Sequence, residues 1–153
     1  MNKKVAIILG SENDKKFIES SFAYYEFFDI EYEVHVISAH RNPDAVAEFA
    51  KNAKNNNYCT LIGAAGMAAH LAGALKANSV LPVIGVPLPG GVNDGIDALL
   101  STVQMPKGVP VATMSVGKSG MINAAILSAE ILGLFNEKVS LKLIDFKNNG
   151  AKL

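Results

Sequence analysis

Short apolar runs rich in β-branched residues alternate along the chain with segments of helical spacing. Such runs predict strands that are buried on both faces, as in a parallel sheet covered by helices on each side. The predicted strands cover residues 5–9, 32–37, 60–62, 80–86 and 109–116. The predicted helices cover residues 14–28, 67–77, 93–103 and 121–135, with a C-terminal tail helix over 138–147. The alternation therefore predicts a doubly wound α/β fold, a three-layer sandwich around one parallel sheet.

One further helix has the clearest pattern, because four of its apolar residues fall on one face at the spacing of an amphipathic helix. These residues are Val46, Phe49, Ala50 and Ala53. The segment Asn42-Pro43-Asp44 precedes them. Asparagine is a favoured N-cap, proline suits the first helical position, and aspartate interacts favourably with the helix dipole. We therefore predict that Asn42 caps this helix and that Pro43 begins it.

The charge balance of the chain limits its partners. Of 153 residues, 14 are Lys or Arg and 14 are Asp or Glu, so the formal net charge is zero. A neutral chain has no electrostatic attraction to nucleic acid or to an anionic membrane surface. The length fits one domain, spanning residues 1–153. Because half of the residues are apolar and only 18% are charged, we expect excess apolar surface and a homo-oligomer.

The apolar segments and the cysteine content indicate where the protein resides. The first apolar run, residues 5–9, is too short for an export signal, and no run approaches the roughly 18 residues of a membrane span. Cys59 is the only cysteine, so no internal disulfide can form. Both observations favour the cytoplasm. Cys59 stands in Tyr58-Cys59-Thr60-Leu61-Ile62, which has the composition of a buried strand, and we interpret it as a packed core thiol rather than a nucleophile.

Polar and small residues follow the predicted strands. In an open parallel sheet, ligands bind at the carboxyl ends of the strands, where helix N-termini also gather. Hydroxyl, carboxylate, imidazole and guanidinium groups are therefore expected on one edge, and they suit an anionic, hydroxylated ligand. The segments concerned are Gly10-Ser11-Glu12-Asn13-Asp14, Ser38-Ala39-His40-Arg41, residues 63–66, residues 87–91 and Gly117-Lys118-Ser119-Gly120.

Arg41, Ser11 and Asp14 are candidates for binding such a ligand. Arg41 offers a planar set of donors beside a helix start, which suits a phosphate, although a surface arginine is the alternative. Ser11 and Asp14 have the spacing of a helix-capping pair. Asp14 is alternatively an acceptor for a sugar hydroxyl, as in nucleotide sites.

His40 is the candidate proton-transfer group. Imidazole titrates near neutral pH, and His40 lies between a strand end and Arg41 at the expected ligand edge. His70 lies in a Gly- and Ala-rich stretch, residues 63–77, and is expected to face the same pocket, whereas His35 lies inside a strand and is interpreted as structural. Since no cysteine or carboxylate stands at metal-ligand spacing from these histidines, we predict no metal site.

Two phosphate-binding motifs are incomplete. Gly117-Lys118-Ser119 resembles the end of a P-loop, but Ala112 stands where the first glycine is required. The turn from Gly10 to Asp14 lacks the glycines of a dinucleotide fingerprint, so NAD is not supported.

Several strings resemble one family, the small N5-carboxyaminoimidazole ribonucleotide mutases of bacterial purine biosynthesis (PurE type). The likeness extends over nearly the whole chain, through Gly117-Lys118 and Asn123-Ala124-Ala125. The other strings are Gly10-Ser11-x-x-Asp14, Ser38-Ala39-His40-Arg41-x-Pro43, Gly66-x-Ala68-Ala69-His70-Leu71, Pro82-Val83-Ile84-Gly85-Val86-Pro87 and Gln104-Met105-Pro106-x-Gly108-Val109-Pro110-Val111-Ala112-Thr113.

The resemblance implies a flavodoxin-like fold and an isomerase that assembles as an octamer, with active sites completed by neighbouring chains. It implies transfer of a carboxylate from an exocyclic amine to ring carbon C4 of an aminoimidazole ribonucleotide, without a cofactor. By the matching motifs, His40 is the acid/base. Ser11, Asp14 and Arg41 hold the ribose and phosphate, and the carboxylate end is lined by Ser38, Ala65, Gly66 and His70.

The chain departs from the family pattern at Asn13, at Lys15, at Ala72 and over residues 89–93. A related carboxylase that uses free carbon dioxide and a non-catalytic module that binds a phosphate ligand are the alternative functions. The Ala-Ala-His-Leu loop favours the mutase, because the carboxylase branch of the family differs there.

Overall fold

The computed structural model describes residues 3–153, which contain five strands in one sheet. The strand order is β2-β1-β3-β4-β5, and every neighbouring pair is parallel. The predicted doubly wound parallel sheet is therefore confirmed. The strands are β1 (Lys4–Leu9), β2 (Tyr32–Val36), β3 (Tyr58–Ala65), β4 (Val83–Pro87) and β5 (Ala112–Thr113).

Six α-helices cover the two faces of the sheet, and the last is the predicted C-terminal tail helix. None of those within residues 3–153 is long and apolar enough to cross a bilayer. Short 3₁₀ turns at Glu12–Asp14 and Val92–Asp94 precede α1 and α4. The helices are α1 (Lys15–Phe28), α2 (Pro43–Asn52), α3 (Leu71–Asn78), α4 (Ile96–Val103), α5 (Lys118–Gly133) and α6 (Glu137–Asn148).

The alternation of side chains along β1 creates two separate cores. Val5, Ile7 and Leu9 pack with α1, α5 and α6 on one face of the sheet. Ala6 and Ile8 pack with α2 and α3 on the other face. All five side chains are fully buried, because successive residues of a strand point to opposite faces and both faces are covered. This burial fixes the register of the central strand and hence the position of every strand end.

Two predicted strands begin later in the structure, and proline explains both differences. The strand predicted over 80–86 begins at Val83, since the preceding Pro82 has no N–H to donate and Val80 is exposed. The strand predicted over 109–116 pairs only at Ala112–Thr113. Its first half is a turn, in which the Val109 amide bonds to the Pro106 carbonyl, followed by Pro110. The predicted strand over 60–62 is longer, Tyr58–Ala65.

Three predicted helix starts also differ. The helix predicted from residue 67 begins at Leu71, because Met67 has a left-handed backbone with φ of 56°. The helix predicted from residue 93 begins at Ile96, after Gly95 with φ of 116°. The helix predicted from residue 121 begins earlier, at Lys118, directly after the left-handed Gly117. Positive φ interrupts helical geometry, and only the glycines signal it in the sequence.

The start of α2 is partly as predicted. Pro43 is its first residue, and Asn42 precedes it with non-helical backbone angles. The Asn42 side chain makes no capping hydrogen bond, however, so the predicted side-chain cap is wrong. The Asn42 amide instead donates to the Ser38 carbonyl at 2.9 Å, which closes the turn after β2.

His35 belongs to a polar cluster at the β2 edge and does not line the cavity at the carboxyl ends of the strands. Its Nε2 lies 3.1 Å from the Tyr58 hydroxyl, which donates to Glu33. Lys4 Nζ also donates to Glu33, at 2.5 Å, and the two hydrogen bonds lower the pKa of the Glu33 carboxyl. Nearby Cys59 is half-buried rather than fully buried in β3, and burial raises the pKa of its thiol. Both positions fit a structural role.

Candidate functional site

A cavity of about 370 Å³ lies at the carboxyl edge of the sheet, where β1 to β4 end. Seven of the eight predicted site residues line it, brought together from three segments that are distant in sequence. The exception is Arg41, whose exposed side chain does not line the cavity. The seven lining residues are Ser11, Asp14, Ser38, His40, Ala65, Gly66 and His70.

The turn after β1 presents Ser11 and Asp14. The Ser11 backbone is extended, and its hydroxyl accepts the Asn13 amide at 3.3 Å, which caps the 3₁₀ turn. The Asp14 amide donates to the Ser11 carbonyl at 3.1 Å. Burial raises the pKa of the Asp14 carboxyl, against a backbone hydrogen bond from Ser11 and the charge of Lys16. A ligand hydroxyl that donates to this carboxylate would offset part of the burial cost.

The turn after β2 presents Ser38, His40 and Arg41. Its closing hydrogen bond runs from the Asn42 amide to the Ser38 carbonyl. The Ser38 hydroxyl accepts the Arg41 amide at 3.3 Å, so Ser38 helps to shape the turn. This arrangement leaves the His40 ring exposed on the cavity wall.

The segment after β3 needs small residues for close packing. A Cβ at Gly63 would lie 2.8 Å from the Ala72 Cα, so the strand end and α3 touch through backbone atoms. The Leu88 amide donates to the Ala65 carbonyl at 2.9 Å, and this bond connects the segment to the end of β4. The cavity floor at Ala65 and Gly66 is thus backbone and methyl groups, which leaves room for a ligand to approach.

His40 and His70 form a hydrogen-bonded pair across the cavity. His40 Nε2 lies 2.8 Å from His70 Nδ1, and the ring planes are nearly perpendicular at 89°. In such a bond one ring nitrogen carries the proton and the other accepts it. The pair therefore contains a proton donor and a proton acceptor beside one cavity, an arrangement that suits acid/base chemistry.

The structure adds lining residues that were not predicted as site residues from the sequence. Lys16 and Phe17, from the first turn of α1, line the cavity, and Lys16 Nζ lies 5.0 Å from the Phe17 ring centroid. The sequence indicates Lys16 as a possible site residue only by its position, two residues after the candidate Asp14. Pro89 and Gly90, after β4, form a further wall within a segment that the strand-end argument had included.

Two carboxylates of the α4 region hold the loop that contains Pro89 and Gly90. Asp94 accepts the Gly90 amide at 3.1 Å, and Asp97 accepts the Val92 amide at 2.9 Å. A Cβ at Gly91 would overlap the Asp97 carboxylate, which would have to move away from the Val92 amide to make room. Residues 89–93, where the chain departs from the family pattern, lie in this loop. The hydrogen bonds from Gly90 and Val92 to the two carboxylates define its shape.

Within residues 3–153, no three histidine, cysteine, aspartate or glutamate side chains are grouped closely enough to hold a metal ion. A larger cavity of about 880 Å³ lies at the opposite, amino-terminal edge of the sheet. It contains none of the predicted site residues, and its rim mixes Lys3, Lys54 and Lys138 with Glu26, Asp29 and Glu31. The smaller cavity therefore remains the candidate site.

Comparisons with known proteins agree on one family over almost the whole chain. Residues 4–152 match the family described as AIR carboxylase. A Haemophilus influenzae relative is 40% identical over 98% of this chain and 92% of its own length. A Bacillus subtilis relative is 44% identical over 97% of this chain and 92% of its own length. Both are named N5-carboxyaminoimidazole ribonucleotide mutase.

A solved structure gives the same result. The crystal structure of Treponema denticola PurE superposes with a TM-score of 0.87 at 25% identity, covering 98% of this chain and 92% of that one. Sequence and fold comparisons thus identify the same group of proteins.

Proposed function

The chain belongs to the AIR carboxylase family, and from this we infer that it is a mutase of purine biosynthesis. It converts N5-carboxyaminoimidazole ribonucleotide to 4-carboxy-5-aminoimidazole ribonucleotide, and it is therefore an isomerase. The observation that carries this inference is the 40–44% identity to mutases over nearly the full chain. The cavity with two histidines and a floor of small residues supports it.

His40 is the general acid and base in this proposal. The carbamate N–C bond breaks, the electron pair returns to the exocyclic nitrogen, and a proton is supplied there. Ring carbon C4 then forms a bond to the released carbon dioxide and loses its own proton. One proton is given and one is taken, so a single imidazole can complete the cycle. The hydrogen bond between His40 and His70 supports this role, because it holds the His40 ring on the cavity wall.

The small-residue floor suits the carboxylate that moves. Ala65 and Gly66, with Ser38 and His70, surround that end of the substrate in our proposal. The close packing of Gly63 on α3 holds this wall rigid, since no side chain separates the two backbones. A confined pocket keeps carbon dioxide beside C4 between the two bond changes.

The ribose and phosphate lie toward α1 and the 38–41 turn in this proposal. Asp14 accepts a ribose hydroxyl, and Ser11 and Arg41 contact the phosphate. Arg41 is exposed beside the cavity, and its side chain is long enough to turn toward a bound anion. Lys16 is a second cation on the same wall, two residues from Asp14.

Arg41→Ala should raise KM about 10- to 100-fold with little change in kcat. A charged hydrogen bond is worth about 1.5–3 kcal/mol, and a phosphate far from the reacting atoms is bound equally in ground and transition states. Steady-state kinetics of the variant measure both constants. Lys51→Ala, at the far end of α2, is the control for loss of a positive charge. A collapse of kcat with unchanged KM would contradict the phosphate role.

Substrate incubations separate the mutase from its two alternatives. The purified protein is incubated with N5-carboxyaminoimidazole ribonucleotide or with aminoimidazole ribonucleotide, each with and without bicarbonate. A mutase converts the first substrate without bicarbonate. A carboxylase requires bicarbonate with the second substrate, and a binding module converts neither, so either result would overturn the proposal.

We propose that the protein forms a homo-octamer in the cytoplasm from chains that are each one domain over residues 1–153. Exposed apolar side chains support the assembly and form two groups. Val92, Ile96, Leu100 and Val103 surround α4, next to the cavity, and Leu134, Phe135, Leu141 and Ile144 surround the start and outer face of α6. Patches of this kind mark protein interfaces.

Sedimentation equilibrium should give a particle of eight times the 16.2 kDa chain mass. Leu100→Glu should shift the particle to a smaller size, because it places a charge in the exposed apolar group on α4. Lys51→Glu, on an already polar position, is the matched control. A wild-type protein that remains monomeric at micromolar concentration would contradict the proposed assembly.

A further inference from the structure

We propose that Ser101 is a positioning residue for the reaction, because it fastens the loop that ends at His70 to helix α4. The role in catalysis rests on the function proposed above. The structural part, that Ser101 keeps His70 within hydrogen-bond reach of His40, stands on the geometry alone.

The Ser101 hydroxyl has four hydrogen-bond contacts, and the two shortest are complementary. Its oxygen accepts the Ala69 amide at 2.9 Å, and its proton is directed to the Asp97 carbonyl at 2.7 Å. The first bond joins residues 32 positions apart, and the second lies within α4. A hydroxyl has one proton to donate and lone pairs to accept, so both bonds form at once. Ser101 thereby connects the helix backbone to the loop before α3.

The loop depends on this contact. Met67 holds a left-handed backbone, with φ of 56°, which costs energy for a residue other than glycine. Ala69 is buried, and its amide would lose its acceptor if Ser101 were truncated. An unpaired buried amide is strongly unfavourable. Since His70 is the next residue, any movement that satisfies the Ala69 amide elsewhere also displaces the His70 ring.

Helix α4 is a firm anchor for the loop. Ala98 and Thr102 are buried against the sheet, and the Thr102 hydroxyl donates to the Ala98 carbonyl at 2.7 Å. Asp97, on the same helix, accepts the Val92 amide. One helix therefore holds both the 66–70 loop and the 89–95 loop, which form two walls of the cavity.

The first test compares kcat and KM of Ser101→Ala, Ser101→Thr and Thr102→Val. Ser101→Ala should lower kcat about 10- to 100-fold with little change in KM, because small misplacements of catalytic groups cost this much while the phosphate end is unaffected. Ser101→Thr keeps the hydroxyl and should restore most of kcat. Thr102→Val removes the neighbouring hydroxyl, which bonds only within α4, and should retain wild-type kcat.

The second test uses the imidazole ¹⁵N NMR signals, since the chain has only three histidines. Ser101→Ala should shift the signals of His40 and His70 and leave that of His35, which lies in the β2-edge cluster. If the alanine variant fails to fold, Ser101→Cys takes its place, because sulfur is a weaker acceptor of similar size.

Wild-type kcat in Ser101→Ala, or unchanged His40 and His70 signals, would overturn the proposal. An equal loss of kcat in Thr102→Val would also overturn it, since the effect would then be general to α4. If the wild-type protein fails to convert the substrate, the proposed function is wrong, and the NMR comparison still decides whether Ser101 positions the histidine pair.

Discussion

Replacement of His40 by asparagine should reduce kcat by at least about 10⁴-fold. General acid/base steps are each worth about 10²–10⁴-fold, and His40 is proposed for two of them. Asparagine keeps a hydrogen-bonding side chain but cannot exchange a proton near neutral pH. Folding and ligand binding should change little, because the His40 side chain is exposed on the cavity wall. The measurement is steady-state turnover of N5-carboxyaminoimidazole ribonucleotide.

Circular dichroism and ligand titration of the His40→Asn variant are the controls for folding and binding. His35→Asn makes the same change in the β2-edge cluster, outside the cavity, and should keep near wild-type kcat. If His40→Asn retained more than roughly a tenth of wild-type kcat, far above the expected loss, His40 would have no acid/base role. His70 would then be the remaining candidate.

Gly120→Ala should destabilise the fold by about 3 kcal/mol or more, at the upper end of overpacking effects. Gly120 is buried in the first turn of α5, and a Cβ there would lie 1.8 Å from the Ser115 carbonyl oxygen. It would also lie 2.9 Å from a methyl group of Val86 in β4. The connection between β5 and α5 must therefore move to admit one methyl group. Chemical denaturation measures the change in the free energy of unfolding.

Gly73→Ala is the matched control, since Gly73 also lies in a helix, α3. A Cβ at Gly73 would meet only the end of the flexible Met105 side chain, at 3.4 Å. Alanine is favoured over glycine in helix interiors by up to about 1 kcal/mol, so this variant should be as stable as the wild type or more stable. Equal stabilities of the two variants would show that the close approach at Gly120 is not required.

The fold was predictable because the strands carry their own signal. Residues 5–9 are apolar at every position, and only a strand covered on both faces buries them all. The errors fell where local rules compete. Val109 and Val111 favour a strand, but Pro106 and Pro110 impose a turn, and β5 keeps only two residues. Met67 looks helical in sequence, yet its backbone is left-handed because the loop is held by distant contacts.

The candidate site was predictable to the extent that it lies at strand ends. His40 and Ser38 follow β2, and Ala65 ends β3, so topology alone places them on one edge. Lys16 and Phe17 were missed because they come from a helix turn that curves over the cavity. The role of Ser101 could not be predicted from the sequence, since its partner Ala69 is 32 residues away and the contact depends on how α4 packs.

The two edge strands of the sheet differ from ordinary strand edges, and this limits how the protein can aggregate. An open edge presents unpaired backbone groups that recruit further strands and lead to fibres. At one edge, β5 has two residues, too few to template a new strand. At the other, Glu33 of β2 is held charged by Lys4 and Tyr58, and a charge on an edge strand opposes stacking against a second chain. Both edges therefore oppose strand-to-strand pairing, which leaves contacts between helices as the route to the proposed homo-oligomer.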